Sequence, residues 1–366
     1  MEEQRCLRRT RPRSVSRYRR TSSGITRLIT AVVISAAGGY GVAAWSGPPA
    51  AAGSGTAGIV LRYPTHLAVG PNGNLYIGDT GLDRILKRLP GGRFRVIAGD
   101  GHRGFSGDGR PALDAELESI GDMTFTKNGT LYFADGNRIR AISPTGRITT
   151  VVGDGSTSPT AIANETPALK APVGSTAGLT IGPDGDLYFT GGSNQVLRLM
   201  SDGLIDVVAS SRDFANLGGF EQLFPTELAF DGSGDLYVST GNAFRLVELT
   251  RSGHVLYLGP LRRGGGSPAA LASGPGGLVF ADWQNSIVRI DGSRVEVFLT
   301  FAKGSVPRVS FTFLPDDIAV GPKGTIYADT IANNGWTDTT AVVAISPYRH
   351  VTTLWARNEP AGYASL

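Results

Sequence analysis

Between Leu67 and Ala98 short apolar runs alternate with short polar breaks. Leu67 and Val69 alternate with small residues until Pro71-Asn72-Gly73 ends the run. Leu75 to Ile77 form a second run, closed by polar residues around Asp79. Ile85 and Leu86 belong to a third, and Phe94 to Ala98 make a fourth after the turn Pro90-Gly91-Gly92. Period-two runs broken by Gly, Asn, Asp and Pro predict short antiparallel strands. Joined by tight turns in chain order, these strands form one meander.

The pattern recurs. Gly-x-Leu-Tyr stands at Gly73 to Tyr76, Gly129 to Tyr132, Gly185 to Tyr188 and Gly234 to Tyr237, with looser copies at Gly276 to Val279 and Gly324 to Tyr327. The leading glycines are 56, 56, 49, 42 and 48 residues apart. Third-strand copies are Arg138 to Ile142, Val196 to Leu199 and Ser286 to Ile290; fourth-strand copies are Arg147 to Val152 and Leu204 to Val208. Self-similarity at roughly 40 to 50 residues, with strands as the repeating unit, predicts propeller blades.

These residues resemble the NHL-repeat family. Its blade has a Gly-Asn-Leu-Tyr-like second strand, an Asp, a polar turn and an Arg-Ile-like third strand. Asp79-Thr80-Gly81-Leu82-Asp83-Arg84-Ile85 and Asp135-Gly136-Asn137-Arg138-Ile139 match that order. The run Ile97 to Ala112, rich in glycine, is similar to the long inter-blade loop of extracellular and bacterial members. The resemblance spans residues 58–356. It implies an all-β fold: a six-bladed β-propeller of four-stranded antiparallel blades, which the sequence places after an N-terminal transmembrane or signal helix. Innermost strands are expected near residues 66–70, 122–126, 178–182, 227–231, 269–273 and 317–321. Such a ring implies little about activity, because propellers host many functions.

Composition sharpens this picture in three places. The 51 glycines among 366 residues suit many tight turns. Short helices are expected only at Pro111 to Ser119 and near Thr166 to Ala171. The single cysteine, Cys6, excludes an intramolecular disulfide, a cysteine zinc site and a Cys-based hydrolase from the body. Charge is uneven: residues 1–27 carry nine Arg and two Glu, so the remainder bears −3 of the total +4. A mildly acidic propeller argues against nucleic acid as a partner.

Behind the arginines, Leu28 to Ala44 run for seventeen residues without a charge, followed by a Gly/Pro/Ala/Ser spacer to Ala57. A positive segment before an apolar run predicts a signal peptide or a retained anchor, and both readings stay open. The expected organisation is a basic cytoplasmic segment (1–27), a membrane or signal helix (28–45), a flexible linker (46–57), the propeller (58–356) and a C-terminal tail (357–366). Either reading leaves the propeller outside the cytoplasm, at the cell membrane or secreted. A monomer is expected.

The chemistry is sparse. There is no Gly-x-Ser-x-Gly elbow and no His-Glu-x-x-His, and the Gly-Asp-Gly runs are too short for a calcium loop. Asp79, Asp135 and Asp282 share one blade position after the second strand, where Gly191 and Thr240 stand in the third and fourth units; Asp329 sits one residue early in the sixth. A carboxylate at a strand end ordinarily bonds backbone N–H groups of a neighbouring turn. A second column, seven residues before each leading glycine, reads His66, Asp122, Gly178, Glu227, Ala269 and Asp317. In NHL blades this position is usually small, so His66, Asp122, Glu227 and Asp317 depart from the pattern. Their place at the start of an innermost strand predicts convergence at one mouth of the tunnel, with Asp79 and Asp282 as an outer shell. Oxygen ligands and one imidazole would suit a divalent cation such as calcium. Two functions follow: a non-catalytic binding or scaffold domain for a protein, glycan or cell-wall ligand, or a metal-dependent enzyme of the lactonase, amidating-lyase or streptogramin-lyase type.

Overall fold

A computed structural model of the chain describes residues 59–215, 224–241, 245–257, 268–275, 277–282, 286–291, 294–302, 306, 315–333 and 337–360. They form antiparallel meanders in chain order. The first sheet holds β1 (Pro64–Val69), β2 (Leu75–Asp79), β3 (Arg84–Arg88) and β4 (Phe94–Ala98). The second holds β5 (Ile120–Phe125), β6 (Leu131–Asp135), β7 (Arg138–Ile142) and β8 (Ile148–Val152). In the third, β10 (Leu179–Ile181), β11 (Leu187–Gly191), β12 (Gln195–Leu199) and β13 (Leu204–Ala209) are joined by β9 (Thr166–Pro167). The fourth runs through β14 (Pro225–Phe230), β15 (Leu236–Thr240), β16 (Arg245–Leu249) and β17 (Val255–Tyr257). The fifth has β18 (Pro268–Gly274), β19 (Gly277–Asp282), β20 (Ser286–Asp291) and β21 (Arg294–Thr300). The last has β22 (Ile318–Val320), β23 (Ile326–Asn333), β24 (Thr337–Ile345) and β25 (Val351–Pro360).

The expectation of six equal four-stranded blades behind an N-terminal helix is corrected. Among the described residues five sheets have four strands, and the third has five. The extra strand comes from the connection between the second and third sheets, where Pro167 pairs with Leu204 and Thr166 with Ile205. An outermost strand presents unpaired N–H and C=O groups, and this pairing satisfies some of them. The same device is weaker in the second sheet, where Pro111 makes an isolated bridge to Arg147. Among the described residues no helix is long and apolar enough to cross a membrane. The segment expected to form such a helix, and the linker after it, lie outside the described residues.

The first strands pack side by side. β1 touches β5, β5 touches β10, β10 touches β14, β14 touches β18, β18 touches β22, and β22 returns to β1. Apolar side chains fill the wedges between sheets. Ala68, Ile85 and Ala98 of the first sheet meet Ile120, Met123, Leu131 and Phe133 of the second. Leu67, Ile77 and Leu86 meet Ala319 and Val342 across the closure, with Ile59, Leu354 and Trp355 packed at the margin. Each buried Leu, Ile, Val, Phe or Met among them contributes about 1.5 to 3 kcal/mol, and each Ala less. The closing sheet takes all its strands from the C-terminal part of the chain, and side-chain packing together with a hydrogen bond between Leu67 and Asp317 joins it to the first sheet.

Both expected short helices shrink to single 3-10 turns, Ala112–Asp114 and Ala168–Lys170. Ala112 N–H donates to the Gly146 carbonyl and Ala168 N–H to the Gly203 carbonyl. Those bonds tie each turn to a neighbouring sheet, and the backbone turns extended at Ala115 and Ala171, which ends the helical geometry.

Candidate functional site

In a meander the first strand begins on the face where the second ends. Residues 66, 122, 227 and 317 therefore come to one mouth of the ring. There His66, Asp122, Glu227 and Asp317 line a common cavity of about 390 Å³, together with Thr65, Thr80, Ser119 and Asp316. Gly178 is the backbone member of the column. A Cβ built on it would lie 2.3 Å from the Thr226 carbonyl oxygen, so a side chain cannot enter there.

The two aspartates are engaged. Asp122 Oδ2 accepts the Leu179 N–H at 2.6 Å and its Oδ1 accepts the Met123 N–H at 2.6 Å. Asp317 repeats this: Oδ2 accepts the Leu67 N–H at 2.6 Å and Oδ1 the Ile318 N–H at 2.6 Å. Each carboxylate thus bridges its own first strand to that of the next sheet. Glu227 has its backbone N–H bonded to Ser239 Oγ at 3.0 Å, and its carboxyl stands at the cavity wall.

Burial dominates the electrostatics. It pushes the Asp122 carboxyl up to about 7. The Glu227 carboxyl is driven well above its usual range by burial and then by the charges of Asp122, Asp317 and Asp316. Asp317 is raised well above its usual range by burial and by Asp122. His66 is lowered to about 4 by burial, so at neutral pH it is uncharged, and its 4.0 Å approach to Asp317 is not an ion pair. At neutral pH the mouth is lined by hydroxyls, a neutral imidazole and carboxyls that resist ionisation.

Among the described residues no three His, Cys, Asp or Glu side chains are grouped so as to hold a metal ion. Of the three carboxyls expected to face a divalent cation, those of Asp122 and Asp317 hold backbone N–H groups and that of Glu227 does not.

The other aspartate column is structural where it is described. Asp79 is fully buried and accepts the N–H groups of Arg62, Tyr63 and Gly81. Asp135 accepts those of Glu118 and Ser119 and pairs with the buried Arg140 at 3.0 Å. Asp282 contributes its backbone to β19, paired with Pro268 and Ser286. The one-residue shift legible at Asp329 also holds at Thr190 and Ser239, which sequence reasoning missed. Thr190 Oγ1 accepts the N–H groups of Ala177 and Gly178, Ser239 Oγ that of Glu227, and Asp329 Oδ1 that of Asp317. The readable signal was a hydroxyl or carboxyl just before the column position. Asp329 Oδ2 is buried without a hydrogen-bond partner, and burial with the charges of Asp317 and Asp316 holds that carboxyl well above its usual range.

A family model described as "Teneurin NHL domain" matches residues 91–211. Chicken (Gallus gallus) teneurin-1 is 27% identical over 206 residues, covering 51% of this chain and 7% of that protein. Mouse (Mus musculus) teneurin-3 is 38% identical over 106 residues, covering 25% of this chain and 4% of that protein. The matched part is thus less than a tenth of the length of these two relatives. Among solved structures, a streptogramin B lyase superposes with a TM-score of 0.51 at 15% identity, covering 81% of this chain and 83% of that one. A protein of unknown function from Bacteroides thetaiotaomicron also gives a TM-score of 0.51, at 14% identity, covering 74% of this chain and 68% of that one. At such identities the likeness is one of fold.

Proposed function

We propose that this chain, an NHL-repeat propeller, is a non-catalytic binding module whose ligand docks at the mouth lined by His66, Asp122, Glu227 and Asp317. One observation carries the reading: the Asp122 and Asp317 carboxylates hold backbone N–H groups of the next sheet. Every oxygen of the two carboxyls accepts a backbone N–H, so both groups act in holding the ring together. What remains open to a ligand is Glu227, His66, Asp316 and the hydroxyls of Thr65, Thr80 and Ser119. Neutral donors and acceptors around a polar cavity suit a polyhydroxylated ligand, and a glycan of the cell wall is the class proposed. The basic segment before the apolar run supports a location outside the cytoplasm, where such material lies.

The full chain should retain oligosaccharides on a glycan array of cell-wall fragments, with His66→Ala and Glu227→Ala each weakening retention about tenfold, a loss near 1.4 kcal/mol. Absence of retention on every fragment would defeat the reading. So would turnover of a lactone panel that requires Glu227.

A further inference from the structure

The opposite face of the ring carries a second surface. A groove of about 430 Å³ lies between the first and second sheets, lined among others by Tyr76, Lys87, Arg95, Leu113, Phe125 and Ile142. Its floor is apolar, and its lip is Leu113, which is 52% exposed. The lip recurs. Leu169, one repeat later, is 58% exposed and borders an equivalent groove beside the third sheet. In both turns the preceding alanine, Ala112 or Ala168, is buried and fixes the turn, which holds the leucine outward.

Charge distinguishes the first groove. Tyr76 pairs across the strands with Lys87, and Lys87 with Arg95, so one row crosses the sheet as ring, cation, cation. Lys87 Nζ lies 5.4 Å from the centroid of the Tyr76 ring. Like charges directly opposite each other on neighbouring strands destabilise a sheet. No carboxylate among the described residues pairs with either cation. The corresponding row of the third sheet is Tyr188, Arg198, Asp206, and there Arg198 also binds Asp186 at 2.6 Å and Asp184 at 3.2 Å. In the second sheet the row is Tyr132, Ala141, Thr149, without charge. Only the first of these three rows sets two cations together with no acid to offset them, and it does so on the wall of an apolar groove.

We propose that this groove docks an acidic peptide segment of a partner protein. An aliphatic or aromatic side chain of the segment packs against Phe125, Ile142 and Leu113, while flanking carboxylates meet Lys87 and Arg95. Charge complementarity sets orientation and association rate, and the apolar anchor supplies most of the affinity. This site is separate from the mouth, and either can fail without the other.

The test uses the full chain and a fluorescein-labelled peptide Asp-Glu-Phe-Glu-Asp, followed by fluorescence anisotropy. The comparison peptides are Asn-Gln-Phe-Gln-Asn and Asp-Glu-Gly-Glu-Asp. The expected result is that the first peptide binds at least about tenfold more tightly than either comparison. Lys87→Glu with Arg95→Glu should abolish this binding, and Leu113→Ala should weaken it. Arg212→Glu, in the short helix Ser211–Ala215 that follows the third sheet, should leave it unchanged. Single Lys87→Glu places opposite charges across the strands, so it should fold at least as well as the parent and still lose affinity, which separates binding from misfolding. Equal binding of the acidic and amide peptides would overturn the proposal, as would an affinity unchanged by the double charge reversal.

Discussion

Asp317 Oδ2 accepts the Leu67 backbone N–H at 2.6 Å, joining residues 250 positions apart. It is a polar bond by which the last sheet grips the first, and Asp122 makes the same bond to Leu179 between the second and third. A ring whose last sheet borrows no strand from the first needs such clasps, because apolar packing alone is non-directional.

Removing the clasp should loosen the ring. Asp317→Ala leaves the Leu67 and Ile318 N–H groups without their acceptor, at a cost of about 1 to 3 kcal/mol. Asp317→Asn keeps one acceptor oxygen and should cost less. Urea unfolding of the two variants checks the order, and equal stability of Asp317→Ala and the parent would remove the clasp from the account.

Stability should depend on pH with an inverted slope. A carboxyl whose folded pKa is raised binds protons more tightly when folded, so its contribution is complete below the unfolded value near 3.9 and is lost as pH rises through the folded value. Asp122, pushed up to about 7, sets the window from about pH 4 to beyond pH 7. Glu227 and Asp317 act in the same direction. His66, lowered to about 4, acts oppositely between its folded value and the unfolded one near 6.5. The melting temperature should therefore fall between pH 6.5 and pH 8, where the histidine no longer contributes. In Glu227→Gln the fall should be smaller, and a scan of both proteins across that interval measures it.

Arg140 should be the most sensitive position of the second sheet. It is fully buried, with Nη1 donating to Asp135 Oδ2 and the Glu116 carbonyl, and Nη2 to Asp108 Oδ1 and the Ser106 carbonyl. Its guanidinium carbon also lies 4.9 Å from the centroid of the Phe105 ring. Arg140→Ala leaves Asp135 buried and unpaired, which costs about 3 to 5 kcal/mol. Limited proteolysis should then cut the released connection between Arg103 and Arg110 first.

Gly178→Ala should disturb the ring where the third sheet meets the fourth. The new Cβ would fall 2.3 Å from the Thr226 carbonyl and 2.9 Å from the Glu227 Cα, both backbone atoms that cannot swing aside. Ala269→Gly, in the same column, adds no atoms and serves as the comparison. A cooperative unfolding transition unchanged in Gly178→Ala would show that the sheets can part without loss.

The sequence alone determined the strands, their meander order and the repeat, because a half-buried strand must alternate and a tight turn must use Gly, Asn, Asp or Pro. It also brought His66, Asp122, Glu227 and Asp317 to one mouth, since equal offsets in equal repeats land at equal places. Tertiary structure decided the rest. Thr166 and Pro167 join the third sheet because an exposed strand edge lay within reach, and nothing in two residues announces that. Asp122 and Asp317 turn their oxygens to the next sheet because the Leu179 and Leu67 N–H groups arrive there from other repeats. Lys87 and Arg95 become one charged row only through strand register. Local periodicity fixes what each segment is; contacts between distant segments fix what its side chains are free to do.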